Sequence, residues 1–293
     1  MIDMKTPLRI LEVSIPHVSP DGTLHGAMSL PQAIVEAGFN TVFVLPWMKI
    51  NQSLSPSPYA VTHHLAVHET IGTIKDAEAW INRCHEVGLR VVLDMPLNHT
   101  SPAHKWTTNT HWYMRDAMGM THPPAGTAWN DVVQLNHNSP DLVQACEEVL
   151  LFWLNAGFDG FRFDAASFIP DAVLLHWIEN LRLQSAVPLL LWCDGRVYAR
   201  QRPFFNGYIY HEAFKLAKHS MREWEALVEE PDDAGIFYLS NHDTLQKGCS
   251  PASEWPGQYD AMRTVLERSP QHVMLSWSDW KNPQSCYSFL LHS

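Results

Sequence analysis

Short runs of Val, Ile, Leu and Phe alternate with longer amphipathic stretches along most of this chain, and that alternation constrains its fold more than any other feature. A short, continuously apolar run reads as a strand buried on both faces, while apolar residues three or four apart read as a helix packed on one side. On this basis the expected strands are Arg9–Ile15, Thr41–Leu45, Arg90–Asp94, Gly160–Phe163, Pro188–Trp192, Gly207–Tyr210, Gly235–Leu239 and His272–Ser276. Helices are expected over Ser29–Ala37, Lys75–Glu86, Leu142–Asn155, Ala172–Leu183, Phe214–Val228 and Tyr259–Arg268, with a short one at the end. Gly38, Gly88 and Gly157 follow three of them, as helix-ending residues do. Strands alternating with helices imply a parallel sheet, and eight such units close most naturally into a (β/α)8 TIM barrel. An open doubly wound sheet is the alternative, but no GxGxxG follows a strand.

One connection breaks the rhythm. From His99 to about Val133 there is little periodicity and a Pro123-Pro124 pair, so an irregular insertion is expected after the third strand. It would overhang the face where barrel active sites sit. No composition shift or linker divides the chain, and residues 1–293 are expected to form a single catalytic barrel.

A formal charge of −11 argues against a nucleic-acid or anionic-membrane surface, which needs clustered Lys and Arg. No apolar run approaches membrane-spanning length. The five cysteines (Cys84, Cys146, Cys193, Cys249, Cys286) are scattered and odd in number, as reduced thiols would be. The first residues lack an apolar stretch followed by a small-residue cleavage site, so a soluble, cytoplasmic protein is expected. Seventeen histidines include no HExxH and no Cys/His set at metal-ligand spacing; neither a metal nor a cofactor is expected. Twelve Trp and eight Tyr serve either core packing or sugar stacking.

Polar clusters stand at the C-terminal ends of four expected strands: Asp94 to His99, Arg162 with Asp164, Cys193-Asp194, and Asn241-His242-Asp243. A lone Asp at a strand end is usually a salt-bridged or capping group, but several together point to a site. Arg162 and Asp164 are two apart and share one strand face, with Phe161 and Phe163 on the other. An Arg beside a carboxylate favours its ionised form, as a nucleophile toward an anomeric carbon requires.

The segments VVLDMPLNHT, GFDGFRFDAAS and YLSNHDT resemble three signature regions of the α-amylase superfamily of retaining glycosidases and transglycosylases. The stretch from WNDVVQLNHNSPDL to GFRFD is similar to the oligosaccharide-active branch of α-glucosidases. The resemblance implies that Asp164 is the nucleophile, Arg162 the arginine that orients it, and Asp243 the carboxylate that grips sugar hydroxyls. By the same resemblance His99 and His242 bind at those hydroxyls, Asp94 supports the site, and Tyr59 stacks under the reactive sugar. Asn98 matches a position that binds calcium in some members.

The family's acid/base Glu is missing from LLLWCDGRVY. Either Asp194 takes that position or, shifted by one residue, Cys193 does; a carboxylate preserves the chemistry, so Asp194 is preferred. Retaining catalysis sets its two carboxyl groups about 5–5.5 Å apart, and Asp is a methylene shorter than Glu. A misplaced acid slows poor leaving groups most, which favours activated donors such as a glycosyl phosphate. Ala60 stands where an Asp commonly follows the stacking Tyr, and the Lys-His pair of starch-degrading amylases is absent after Asp164. The expected function is hydrolysis or transfer of an α-glucosyl unit on a small saccharide through a covalent glycosyl-Asp. The alternatives are a glycosyltransferase or phosphorylase-like enzyme using an activated donor, and a non-catalytic barrel that binds sugar or protein.

Overall fold

Strands that are apolar on both faces have no side to give to solvent, and the chain resolves this by closing them into a cylinder wrapped in helices. The computed structural model describes residues 6–195, 201, 204–211, 220–229, 234–238, 240–243, 265–266, 269 and 271–277. Eight parallel strands close in the order β1 (Arg9–Val13), β12 (His272–Ser276), β11 (Gly235–Tyr238), β10 (Gly207–Ile209), β9 (Leu190–Cys193), β8 (Gly160–Phe163), β5 (Arg90–Met95) and β2 (Thr41–Val44). This is the (β/α)8 barrel expected from the alternation. The first strand stops at Val13 rather than Ile15, because Pro16 opens a short helix, α1 (Ile15–Val18).

Successive residues of each strand point alternately into and out of the cylinder. Ile10, Phe43, Val92, Leu190, Trp192, Ile209, Ile236 and Met274 pack together inside. Leu11, Val42, Leu93, Phe161, Phe163, Leu191 and Cys193 face outward, against Trp80, Ile81, Leu142, Trp153 and Trp177 of the helices. Those helices are α2 (Leu30–Glu36), α3 (Ile74–Glu86), α4 (Pro140–Asn155), α5 (Asp171–Gln184) and α6 (Met221–Glu229). A capping box starts α3, with Thr73 and Asp76 each bonding the other's backbone N–H. Of the helix expected over Phe214–Val228, residues 212–219 lie outside the described residues. So do the terminal helix and, apart from Val265 and Leu266, the helix expected over Tyr259–Arg268.

Two excursions leave the barrel, and the sequence reading missed the first. After β2 the chain forms an antiparallel hairpin, β3 (Met48–Ile50) with β4 (Val61–Val67), whose connection carries Tyr59. Thr62, His63 and His64 break the apolar alternation there and hide β4 from a pattern search. The irregular insertion expected after the third barrel strand is present, mostly turns and coil. Its ends pair as β6 (His99–Thr100) and β7 (Val133–Gln134), and it contains two 3-10 turns, Lys105–Thr108 and Thr110–Trp112. Buried Trp106 and Tyr113 anchor it. Two-residue strands and single turns are too short to leave a period in sequence.

Candidate active site

The alternation that aims Val92, Trp192 and Ile236 inward also aims the next residues of the same register at the barrel's C-terminal mouth. Asp94 follows Val92 on β5, and its partner across the ladder is Arg162 on β8. Phe163 pairs with Cys193 on β9, and the ladder continues one step further: Asp164 N–H bonds Met95 O and Asp194 N–H bonds Phe163 O, each at 3.2 Å. Asp164 and Asp194 therefore extend neighbouring strands, which lie about 4.8 Å apart.

Arg162, 1% exposed, ties these groups together. Its Nη1 donates to both oxygens of Asp94 (2.8 and 2.9 Å) and to Asp164 Oδ1 (2.9 Å). Its Nη2 lies 2.7 Å from Asp194 Oδ1. That same oxygen is 2.7 Å from His211 Nε2, and His211 Nδ1 is 2.6 Å from the Tyr238 hydroxyl. Asp164 Oδ2 stands 3.8 Å from His99 Nε2, beyond hydrogen-bond length.

Across the mouth, Tyr59 donates its hydroxyl proton to Asp94 Oδ2 at 2.7 Å and lies 2.8 Å from His242 Nε2. His242 Nδ1 is 2.6 Å from Oε1 of Glu12, a fully buried residue of β1. Asp243, half-exposed, lies 3.8 Å from His242 Nε2. All eight side chains singled out in the sequence, Tyr59, Asp94, His99, Arg162, Asp164, Asp194, His242 and Asp243, thus gather at one end of the barrel. Above them Trp129 of the insertion packs 5.5 Å from the His99 ring and 6.1 Å from Phe168, and remains 40% exposed.

Cys193 is not among them. Its side chain belongs to the strand–helix layer with Phe163 and Phe205, and Sγ lies 3.7 Å from Gly195 O. Strand parity sends Asp194 into the mouth and Cys193 out of it. Asn98 is fully buried; its Oδ1 has no hydrogen-bond partner, and its amide nitrogen is 3.4 Å from the His99 ring.

One guanidinium among several carboxylates leaves the charge unevenly shared. Burial pushes Asp94 and Asp164 up to about 6, with Arg162 offsetting only part of it. Both are still mainly ionised at neutral pH. Burial acts on Asp194 in the same direction, but Arg162, and after it His211, outweigh burial and hold that carboxyl below the ordinary carboxylate range. His99 is driven down to about 4 by burial and stays neutral. His242 would also fall on burial, yet Glu12, through charge and hydrogen bond, carries it up to about 9.

Three members of the site escaped the sequence reading: Glu12, His211 and Tyr238. Glu12 left a signal, being the one charged residue on the inward face of an otherwise apolar strand, RILEV. His211 stands just beyond β10, at a strand end like the others.

Residues 12–118 match the family model "Alpha amylase, catalytic domain". The chain is 30% identical over 182 residues to an α-glucosidase of Candida albicans, covering 50% of this chain and 32% of that protein. It is 29% identical over 206 residues to a probable oligo-1,6-glucosidase of Bacillus subtilis, covering 57% of this chain and 35% of that one. The chain thus spans about a third of the length of these curated relatives. The crystal structure of an α-amylase from Lactobacillus plantarum superposes with a TM-score of 0.81 at 22% identity, over 93% of this chain and 71% of that one. This last likeness is one of fold.

Proposed function

We propose that the chain, whose residues 12–118 match the α-amylase catalytic-domain model, is an α-amylase-type barrel that acts on α-glycosides of small saccharides by the retaining route. The observation that carries the proposal is the placing of Asp164 and Asp194 on adjacent strands, both bound to Arg162. Asp164 attacks the anomeric carbon with a carboxylate lone pair. The bond to the leaving oxygen breaks, and its electron pair goes to that oxygen, leaving a glycosyl-Asp that water or a sugar hydroxyl then opens. Arg162 orients Asp164. His99, His242 and Asp243 hold the sugar hydroxyls, Asp94 holds Arg162 and the Tyr59 hydroxyl in place, and Tyr59 offers its ring as the floor of the subsite.

Asp194 is the acid/base in this scheme, yet in the unliganded protein Arg162 and His211 hold it ionised. A bound substrate must therefore weaken one of those contacts, or bring a leaving group that departs without a proton. That favours activated donors, and transfer alongside hydrolysis. A barrel that binds sugar without turning it over is the second reading, and the ionised Asp194 is what favours it. Incubation with α-glucosyl fluoride is the test. Fluoride should be released, Asp164→Asn should abolish the release, and Asp194→Asn should slow glycosylation by a donor with a poor leaving group by about 10²–10⁴-fold while sparing the first fluoride released per enzyme molecule, the later opening of the glycosyl-Asp being the step that still needs the base. No release from any activated α-glycosyl donor would leave the binding reading standing.

We also propose that residues 1–293 form one barrel and that it works in a reducing, cytoplasmic compartment, which would keep Cys84, Cys146 and Cys193 as free thiols.

A further inference from the structure

Glu12 is buried completely inside the barrel, and its Oε2 has no hydrogen-bond partner. A carboxyl group in that position is costly unless it does something for a neighbour. Its only contact within hydrogen-bond length among the described residues is His242 Nδ1, at 2.6 Å. Proton positions follow from the rest of the chain of bonds. Tyr59 has one hydroxyl proton and gives it to Asp94 Oδ2, so toward His242 it can only accept. His242 must then carry its proton on Nε2. With Nε2 protonated, Nδ1 facing a carboxylate is satisfied only if a second proton lies between Nδ1 and Glu12 Oε1.

We infer that Glu12 is a positioning residue that keeps His242 doubly protonated, so that a charged Nε2–H, resting on the Tyr59 hydroxyl oxygen, is available to the hydroxyls of a sugar bound between Tyr59 and Asp243. The inference rests on the function proposed above for its use, though not for its detection. The charged groups packed around the ring are Glu12 from β1, Tyr59 from the β3–β4 connection, Asp94 from β5, Arg162 and Asp164 from β8, and Asp243 after β11. Arg162 opposes a charged ring and the carboxylates favour it; Glu12 lies closest and makes the shortest bond. Burial sets the direction of the design. Without Glu12, a ring this deep would be neutral, and its Nε2–H would be an uncharged donor, about half as strong.

The experiment is ¹⁵N spectroscopy of the full chain labelled at histidine, with the His242 resonances assigned by their loss in His242→Asn. Both ring nitrogens of His242 should be protonated at pH 7.5 and should titrate well above an ordinary histidine. Glu12→Gln, whose amide can still donate to Nδ1, should keep the ring in place but leave it neutral at pH 7.5. The same variant should lose about tenfold in kcat for fluoride release with KM little changed, because a charged donor gives way to a neutral one. A neutral His242 in the unmodified protein at pH 7.5 would overturn the inference without any variant being needed. So would a Glu12→Gln protein whose His242 titrates unchanged. If no fluoride is released at all, the functional proposal fails, while the spectra still decide the role of Glu12.

Discussion

Ala165, the residue after Asp164, has φ 50° and ψ 36°, and among the described residues it is the one non-glycine with positive φ. The left-handed region costs an L-residue roughly 1–2 kcal/mol, and such strain collects where a side chain must be aimed. Here it turns the chain sharply out of β8, so that Asp164 stops at the mouth instead of following the strand. Ala165→Gly should stabilise the protein by up to about 1 kcal/mol in urea unfolding, and Ala165→Val should destabilise it by at least that much. A destabilised glycine variant would refute the account of strain. Nothing in the sequence marks Ala165, because an alanine gives no turn signal. Arg162 and Asp164 were legible, since spacing by two is a local rule that places both on one strand face. Glu12 was not, because its meaning depends on His242, 230 positions away.

At the scale of elements, the site depends on how closely β8 and β9 approach. Gly160 opens β8 where its backbone lies against Leu190, and a Cβ at Gly160 would collide with the Leu190 carbonyl. Backbone cannot step aside as a flexible side chain does, so Gly160→Ala must pry the two strands apart. Overpacking of this kind costs roughly 1–3 kcal/mol. It should also widen the gap between Asp164 and Asp194 at the far end of the same pair. The expected outcome is a lowered urea midpoint together with a loss of fluoride release larger than the fraction unfolded explains. Full activity per folded molecule would show that the strand separation does not set the carboxylate geometry. The barrel strands were readable because each repeats one simple pattern, and their ends fell within two residues of those seen. The β3–β4 hairpin was not, since its stability comes from contacts between segments. His64, on β4, is fixed by His104 at 3.0 Å and by Pro96 O at 3.0 Å, neither of which is near it in the chain.

Over the whole molecule, buried ionisable groups pull stability in opposite directions as pH changes, and their balance can be worked out. His64, His99 and His137 are lowered to about 4 and His104 to about 2, chiefly by burial. The unfolded chain takes up protons on them below about 6.5 that the folded chain refuses, so these four cost stability as pH falls from about 6.5 toward 4. Asp94 and Asp164, raised to about 6, act oppositely over the same range, since the folded state holds their protons longer and gains stability as pH falls from about 6 to 4. Four histidines outweigh two carboxyls of similar or smaller shift, so net stability should drop on the acid side. On the basic side His242, raised to about 9, contributes stability that is full below about 6.5 and fades as pH climbs through 9. The melting temperature should therefore peak near pH 6.5 and fall both ways, by about 2–4 °C for each kcal/mol lost. His242→Asn should flatten the basic limb and leave the acid limb in place. Calorimetry from pH 4 to pH 9 reads this directly, and a melting temperature still rising between pH 7 and pH 9 would mean that His242 is not held charged by the fold.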